Sequence, residues 1–327
     1  MNKFLKILVS IIISGVGLYF AFKGEHFGVL WIQIMETKLI PFTNAVLLLI
    51  YGVYVRAKRW QYILDPIEKV DDHTLFASTM VGYFGNGVLF FRLGELLRGY
   101  SLSSKTSLSV SQAFGTVLLE RVLDIISVMA VIIAISPWYP YEDPIFRSAV
   151  IAMVVISFSA GIFLFLSQRF YWIDKLSHLN FFQKGFGKLV FQITEKIFDG
   201  MTLLRETKHG FIIVFYSLFL WIIYYLTTMF LLESVGIDIG LIGPGVILIA
   251  GSIGIAIPAL PGSAGTYDAI IKFALITMFA ISSEKALTYA LVSHSATFFP
   301  LVIIGMIYFI IGSVRIKDIK KGSEDNE

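Results

Sequence analysis

The chain has 327 residues, of which 57% are hydrophobic and only 15% are charged, with a net charge of +3. Soluble domains carry about 45–50% apolar and about 25% charged residues, so this composition excludes an ordinary soluble enzyme and a disordered chain. It predicts an all-α protein that crosses a membrane several times. The sequence has no cysteine, which rules out a disulfide, a thiol nucleophile or a cysteine zinc site within it. The small net charge does not suggest a nucleic-acid partner.

Six apolar stretches approach or exceed the length of about 20 residues that a membrane-crossing helix needs. They cover 4–22, 39–55, 113–136, 147–167, 211–232 and 286–314. Lysine and arginine cluster before, between and after these stretches in the pattern of the positive-inside rule, and Arg56 and Arg59 are counted here as cytoplasmic loop cations. We therefore expect both termini in the cytoplasm, a transmembrane domain over 1–314, a disordered cytoplasmic tail over 315–327, and the cell membrane as the location.

Two further apolar regions are too broken to be ordinary spans. Region 75–98 contains four glycines, and region 241–281 contains Pro258, Pro261 and several glycines. By the charge count the first region starts and ends inside, whereas the second starts and ends outside. We expect two re-entrant helical hairpins entering from opposite faces, about eight hydrophobic segments in all, which is the pattern of an inverted repeat with a site at the membrane midplane. The alternative is a set of full helices kinked by glycine.

Segment 183–206 repeats its apolar residues with a helical period and places most of its charges elsewhere. This pattern predicts an amphipathic cytoplasmic helix. It either lies in the inner membrane interface or packs on cytoplasmic loops.

Ionisable side chains at bilayer depth are costly and point to function, and the first cluster of them is Asn86, Arg92, Glu95 and Arg98. The last three are spaced three apart, so in a helix they would share one face. Either Arg92 binds an anion while Glu95 holds it in place, or these charges form a structural ion pair that closes the hairpin.

The second cluster is Glu120, Arg121 and Asp124, inside the third apolar stretch. Glu120 and Asp124 would face the same way on a helix, with Arg121 turned about 100° from Glu120 towards a different neighbour. Either the cluster staples this span to the first hairpin, or it lines a polar cavity. In the whole sequence, no set of histidines and carboxylates has metal-ligand spacing. We therefore expect neither a metal nor another cofactor.

The third cluster follows Pro258 and contains Pro261, Gly262, Gly265, Asp268 and Lys272. It predicts an unwound segment followed by a helix that begins near Thr266, whose N-terminus would attract an anion such as phosphate. Asp268 in the first turn could equally be a plain helix cap. His294, in the last span, is either packed through hydrogen bonds or part of a proton relay.

The three clusters together resemble the lysylphosphatidylglycerol synthase transmembrane family, also called flippase-like or UPF0104 membrane proteins. The matching residues are Asn86, Arg92, Gly94, Glu95 and Arg98, then Glu120, Arg121 and Asp124, then Pro258, Pro261, Gly262, Gly265 and Asp268. The sequence departs from the family pattern at Phe90 in place of proline, Ser263 in place of glycine, and Asp268 in place of glutamate.

The resemblance implies that the charged residues bind a lipid headgroup. It implies a non-enzymatic protein that moves an anionic or modified phospholipid, or a polyprenyl-linked lipid, between leaflets, without the soluble synthase domain of some members. Membrane lipids are the expected partners, with a homodimer and a separate lipid-modifying enzyme left open. The alternatives are a secondary transporter for a small polar solute and a membrane-embedded lipid transferase.

Overall fold

The computed structural model describes residues 3–89, 93–139, 143–169, 185–257 and 261–312. The expectations for Arg92, for Pro258 and for the tail 315–327 fall outside these residues. The regular elements of the described chain are helical, which confirms the all-α fold. The helices are α1 Lys3–Phe22, α2 Phe27–Met35, α3 Leu39–Leu64, α4 Asp72–Val88, α5 Gly94–Ser103, α6 Val110–Ile135, α7 Pro144–Arg169, α8 Gly185–Met201, α9 Gly210–Ser234, α10 Gly243–Ala256, α11 Thr266–Phe279 and α12 Ser283–Ile311.

Four helices of the described chain are long and apolar enough to cross a bilayer. They are α3, the 144–163 part of α7, α9 and α12. Two other predicted spans, 4–22 and 113–136, correspond to α1 and α6, and α6 carries the charges of the second cluster. The count of six spans and the side on which the termini lie stay predictions.

Contacts between loops define two ends of the helix bundle. At the first, called the Asp65 end, His209 Nε2 lies 3.2 Å from Asp65 Oδ2 and Ser107 donates to Glu68. At the second, called the Glu25 end, Ser283 at the start of α12 donates to Glu25 in the loop after α1, and the Lys38 N–H donates to the Ser234 carbonyl at 2.8 Å. These contacts fix which helix ends meet, and so they fix the direction of each hairpin.

The first hairpin, α4 with α5, has its base at the Asp65 end. Asp71 caps α4 by accepting the Thr74 N–H at 3.0 Å, and this hydrogen bond lowers the pKa of Asp71. The two helices run back along each other so closely that a Cβ on Gly85 would lie 2.6 Å from Gly94 Cα. Only glycine fits at that contact, because real Cβ atoms do not approach other atoms so closely.

The second hairpin, α10 with α11, has its base at the Glu25 end. Gly254 faces Tyr267, and Gly251 faces Tyr267 and Ile271, so the two helices are antiparallel. Lys285, in the first turn of α12, donates to the Gly236 carbonyl at 2.7 Å. This contact places the base of the second hairpin at the Glu25 end. The two hairpins therefore enter the bundle from opposite ends; that they are re-entrant in a membrane, as the charge count predicted, stays a prediction.

The tips of the two hairpins meet at one aromatic ring, Phe298 of α12. A Cβ on Gly87, near the end of α4, would lie 3.3 Å from Phe298 Cε2, and a Cβ on Gly262 would lie 2.5 Å from the same atom. Phe298 lies about 22 Å along α12 from its start, at a rise of 1.5 Å per residue, and α12 has 29 residues. The tips thus converge near the middle of the bundle.

Helix α8 lies within the predicted amphipathic segment 183–206 and is followed by a 3₁₀ turn over Thr202–Arg205. It packs along the first half of α6, where Gly115 and Gly200 lie at the contact. Helix α8 thus packs directly on α6. Whether it also lies in the membrane interface stays a prediction.

Helix α11 ends in a left-handed residue that is not glycine, and this predicts a stabilising substitution. Ala280 has φ 51° and its N–H donates to the Ile276 carbonyl at 3.1 Å. Ala280→Gly should raise the free energy of unfolding by about 1 kcal/mol, because glycine has no Cβ to clash in this conformation. Thermal unfolding in detergent, followed by tryptophan fluorescence, measures the change.

The matched control is Ala152→Gly, at an exposed position inside α7. There glycine should lower stability by about 1 kcal/mol, since the backbone is already helical. A lower melting temperature for Ala280→Gly would contradict the assigned backbone conformation.

Candidate functional site

The centre of the charged site is a carboxylate held between two arginines. Glu120 of α6 lies 3.3 Å from Arg59 Nη2 of α3 and 2.5 Å from Arg98 Nη2 of α5. All three side chains are essentially sealed from the surroundings. Arg59 also donates to Ser217 Oγ at 3.1 Å, and the Arg98 guanidinium lies 3.9 Å from the centre of the Trp60 ring, a cation–π distance.

A more accessible rim continues from this centre. Asp124 accepts from Arg56 at 2.6 Å and from Arg59 at 2.8 Å, and Arg121 Nη2 lies 2.7 Å from Glu95 Oε1. The exposed fractions of the side chains are 13% for Asp124, 16% for Glu95 and 36% for Arg121. The site therefore has a sealed floor and one side, at Arg121, that a ligand can reach.

The charges of this site do not balance. Among the residues that the structure describes, four guanidinium groups, those of Arg56, Arg59, Arg98 and Arg121, face three carboxylates, those of Glu95, Glu120 and Asp124. Within the described residues, Nε and Nη1 of both Arg56 and Arg98 are buried without a hydrogen-bond acceptor. Buried polar groups are normally hydrogen-bonded, so the site has spare donors for an anion.

Helix geometry explains why the three α6 charges serve different partners. Glu120 and Asp124 are one turn apart and both contact Arg59 of α3, and Glu120 also contacts Arg98 of the first hairpin. Arg121 is rotated about 100° from Glu120, towards another part of that hairpin. There it meets Glu95, which also accepts from Asn86 Nδ2 at 3.3 Å. The structure thus brings the first two sequence clusters together, with α6 joined to the hairpin by ion pairs; binding of a headgroup by these residues stays a prediction.

The placement of Arg56 and Arg59 in a loop was wrong; the side of the membrane on which they lie stays a prediction. Helix α3 continues to Leu64, well past the predicted end at residue 55, so both arginines lie on the helix and are buried. They were counted as loop cations because they directly follow an apolar run. The signal that could have found them was the pair Glu120 and Asp124, two carboxylates that need cations from another helix.

The third cluster forms a separate centre at the tip of the second hairpin. Helix α11 begins at Thr266, as predicted, and Asp268 Oδ2 accepts the Gly265 N–H at 3.0 Å, which is the geometry of a helix cap. Its other oxygen lies 2.9 Å from His294 Nδ1. His294 Nε2 lies 3.1 Å from the Gly262 carbonyl oxygen, so the histidine connects the cap to the tip.

Lys272 binds Glu25, a residue that the sequence analysis did not single out. Its ammonium group lies 2.5 Å from Glu25 Oε1 and donates to the Ala21 carbonyl at 2.7 Å. Ser283 also donates to Glu25. Lys272 thus ties α11 to the loop after α1, at the Glu25 end. No clear sequence signal marked Glu25, since it lies in a short polar loop.

Comparison with known proteins gives the chain a family. Residues 7–305 match the family described as the lysylphosphatidylglycerol synthase transmembrane region. The chain belongs to this family. It is also 24% identical over 232 residues to the UPF0104 membrane protein MJ1078 of Methanocaldococcus jannaschii, covering 70% of this chain and 94% of that protein. Both findings agree with the resemblance inferred from the three motifs, and they identify a multi-pass integral membrane protein.

The sealed position of Glu120 predicts a large loss of stability on its neutralisation. Glu120→Gln keeps the shape but leaves Arg59 and Arg98 without their shared counter-charge. Removing one partner of a buried ion pair is expected to lower stability by about 3–5 kcal/mol. Thermal unfolding in detergent and the yield of monodisperse protein both report this loss.

The control is Glu36→Gln, at an exposed loop position, which should change stability by no more than about 0.5 kcal/mol. Equal melting temperatures for Glu120→Gln and the unsubstituted protein would show that the network contributes nothing to the fold.

Proposed function

We propose that this protein moves an anionic or modified phospholipid, or a polyprenyl-linked lipid, between the two leaflets of the cell membrane. The observation that carries the proposal is the excess of guanidinium over carboxylate groups in a site that is open at Arg121. Arginine binds phosphate through paired hydrogen bonds, and a lipid phosphate would supply the missing negative charge.

Two further observations support movement rather than static binding. The hairpins enter from opposite ends and meet at Phe298, an arrangement found in transporters whose site lies near the bilayer midplane. The family to which the chain belongs is named for the membrane region of a lipid-modifying enzyme. In this mechanism the headgroup passes along Arg121, Glu95 and Asp124 while the acyl chains stay in lipid.

The test is transfer of a fluorescent phosphatidylglycerol between leaflets of reconstituted vesicles, measured by chemical quenching of the outer leaflet. Arg121→Gln should slow the transfer by about tenfold or more, since a charge-assisted hydrogen bond is worth about 1.5–3 kcal/mol. Arg121 is the variant of choice because its side chain is the most exposed of the four arginines of the site.

Arg147→Gln removes the same charge from an exposed position on α7 and should leave transfer unchanged. If Arg121→Gln transfers lipid like the unsubstituted protein, the ion pairs of the arginine site only hold the helices together. If vesicles with the protein transfer no faster than empty ones but accumulate a small polar solute along an ion gradient, the protein is a secondary transporter instead.

The proposed orientation places both termini and the Asp65 end in the cytoplasm. Because the sequence has no cysteine, single cysteines introduced into it can be labelled against a clean background. Lys69→Cys, near the base of the first hairpin, should react with a membrane-impermeant maleimide only in inside-out vesicles. Leu241→Cys, at the base of the second, should react in intact cells; labelling of both positions from the same side would refute the inverted arrangement.

A further inference from the structure

His294 lies between two hydrogen-bond acceptors. Its Nδ1 is 2.9 Å from Asp268 Oδ1 and its Nε2 is 3.1 Å from the Gly262 carbonyl oxygen. A carbonyl oxygen can only accept, and an ionised carboxylate can only accept. Asp268 is nearly sealed, with 4% of its side chain exposed, and His294 is 18% exposed.

A neutral imidazole has one N–H and cannot satisfy both acceptors. If Nε2 carries the hydrogen towards Gly262, the lone pair of Nδ1 faces the carboxylate and repels it. If Nδ1 carries it, the lone pair of Nε2 faces the Gly262 carbonyl. Both contacts are favourable only when one additional proton lies on the pair, either as imidazolium with carboxylate or as neutral imidazole with a protonated carboxyl group.

We propose that Asp268 and His294 form a proton-binding site whose bound proton holds the tip of the second hairpin against α12. The proton comes from bulk water and is bound between His294 Nδ1 and Asp268 Oδ1. It returns to bulk water when the pair is deprotonated. Its loss leaves one of the two contacts repulsive, and the contact to Gly262 is the one that can open, because Gly262 lies in a short 3₁₀ turn, Pro261–Ser263, with a left-handed residue inside it.

The backbone of the tip explains why it would move once released. Gly262 has φ 74° and Ser263 has φ 61°, so a serine occupies a left-handed position that glycine alone adopts without strain. The family pattern has glycine at this second position. Contacts to neighbouring helices must therefore hold the tip in place, and the histidine supplies one of them.

The other ionisable groups around this pair are tyrosines or are already held in ion pairs. Within α11 and α12, Tyr267 contacts the His294 ring at 5.4 Å between centroids and Tyr289 lies nearby, and tyrosine ionises only near or above pH 10. The α1 side presents the closed ion pair of Lys272 with Glu25. The first hairpin presents Glu95, which is paired with Arg121.

Substitution of Asp268 by asparagine gives a sharp discrimination. The side-chain oxygen of asparagine can still accept the Gly265 N–H, while its NH₂ group donates to His294 Nδ1. Neutral His294 then keeps its single hydrogen for the Gly262 carbonyl. In Asp268→Asn the amide NH₂ supplies the hydrogen bond that the bound proton supplies in the unsubstituted protein. The tip should therefore stay packed against α12 at every pH.

The experiment measures exposure of the tip directly. Ser263→Cys places one thiol at the tip of the otherwise cysteine-free sequence, and its labelling rate by a water-soluble maleimide is divided by that of Leu241→Cys, which corrects for the thiolate fraction. The normalised rate should rise about fivefold or more from about pH 5.5 to about pH 8.5, the range in which histidine changes charge. With Asp268→Asn it should stay low throughout.

His294→Gln should remove the pH dependence, and His73→Gln, at an exposed position on α4, should preserve it. A flat normalised rate in the unsubstituted background, or a pH-dependent rate that survives His294→Gln, would overturn the proposal. Nitrogen NMR of labelled histidine gives an independent readout. A neutral imidazole with no proton shared with Asp268, while the tip remains protected, would also overturn it.

This inference does not depend on the cargo of the protein. Tip exposure and histidine protonation are measured without any lipid transfer, so failure of the lipid assay would leave the proton site standing. Conversely, a pH-independent tip would leave the lipid proposal intact and remove only proton control from it.

Discussion

The arrangement of the bundle depends on one carboxylate, that of Glu120. Through this carboxylate, α6 is joined to α3 by Arg59 and to α5 by Arg98. Apolar side chains gain little from leaving lipid for protein, so helices in membranes associate through packing and polar contacts. A buried ion pair is costly when incomplete, so this network permits only one relative placement of α3, α6 and the first hairpin.

Much of the fold could be predicted from the sequence because lipid imposes simple rules. Long apolar runs predicted long helices, four of which are long and apolar enough to cross a bilayer. The glycine and proline breaks marked the two hairpins and the helix start at Thr266. The charged partners were harder to predict. Arg56 and Arg59 follow an apolar run as loop cations would, and the carboxylates that hold them, Asp124 and Glu120, come from a helix that lies far along the chain. The partner of Lys272 was equally hidden, since Glu25 is 247 residues away.

The two polar centres are physically connected through the hairpin tips. Asn86 binds Glu95 of the arginine site, and its neighbour Gly87 packs on Phe298. The same ring also packs against Gly262, whose carbonyl lies beside His294. A displacement of either tip therefore changes the space left for the other, which gives the protein a mechanical route between its charged site and its histidine.

The arginine network also has a consequence for biogenesis. Arg59 and its partner Asp124 are 65 residues apart, and α3 leaves the ribosome before α6 is made. At about 5–20 residues per second, the arginines of α3 wait roughly 3–13 s for their carboxylates. Since both lie within three turns of the Asp65 end of α3, their long side chains can extend to the membrane surface meanwhile. Insertion of α3 therefore precedes completion of the network, and arrival of α6 draws the arginines inward.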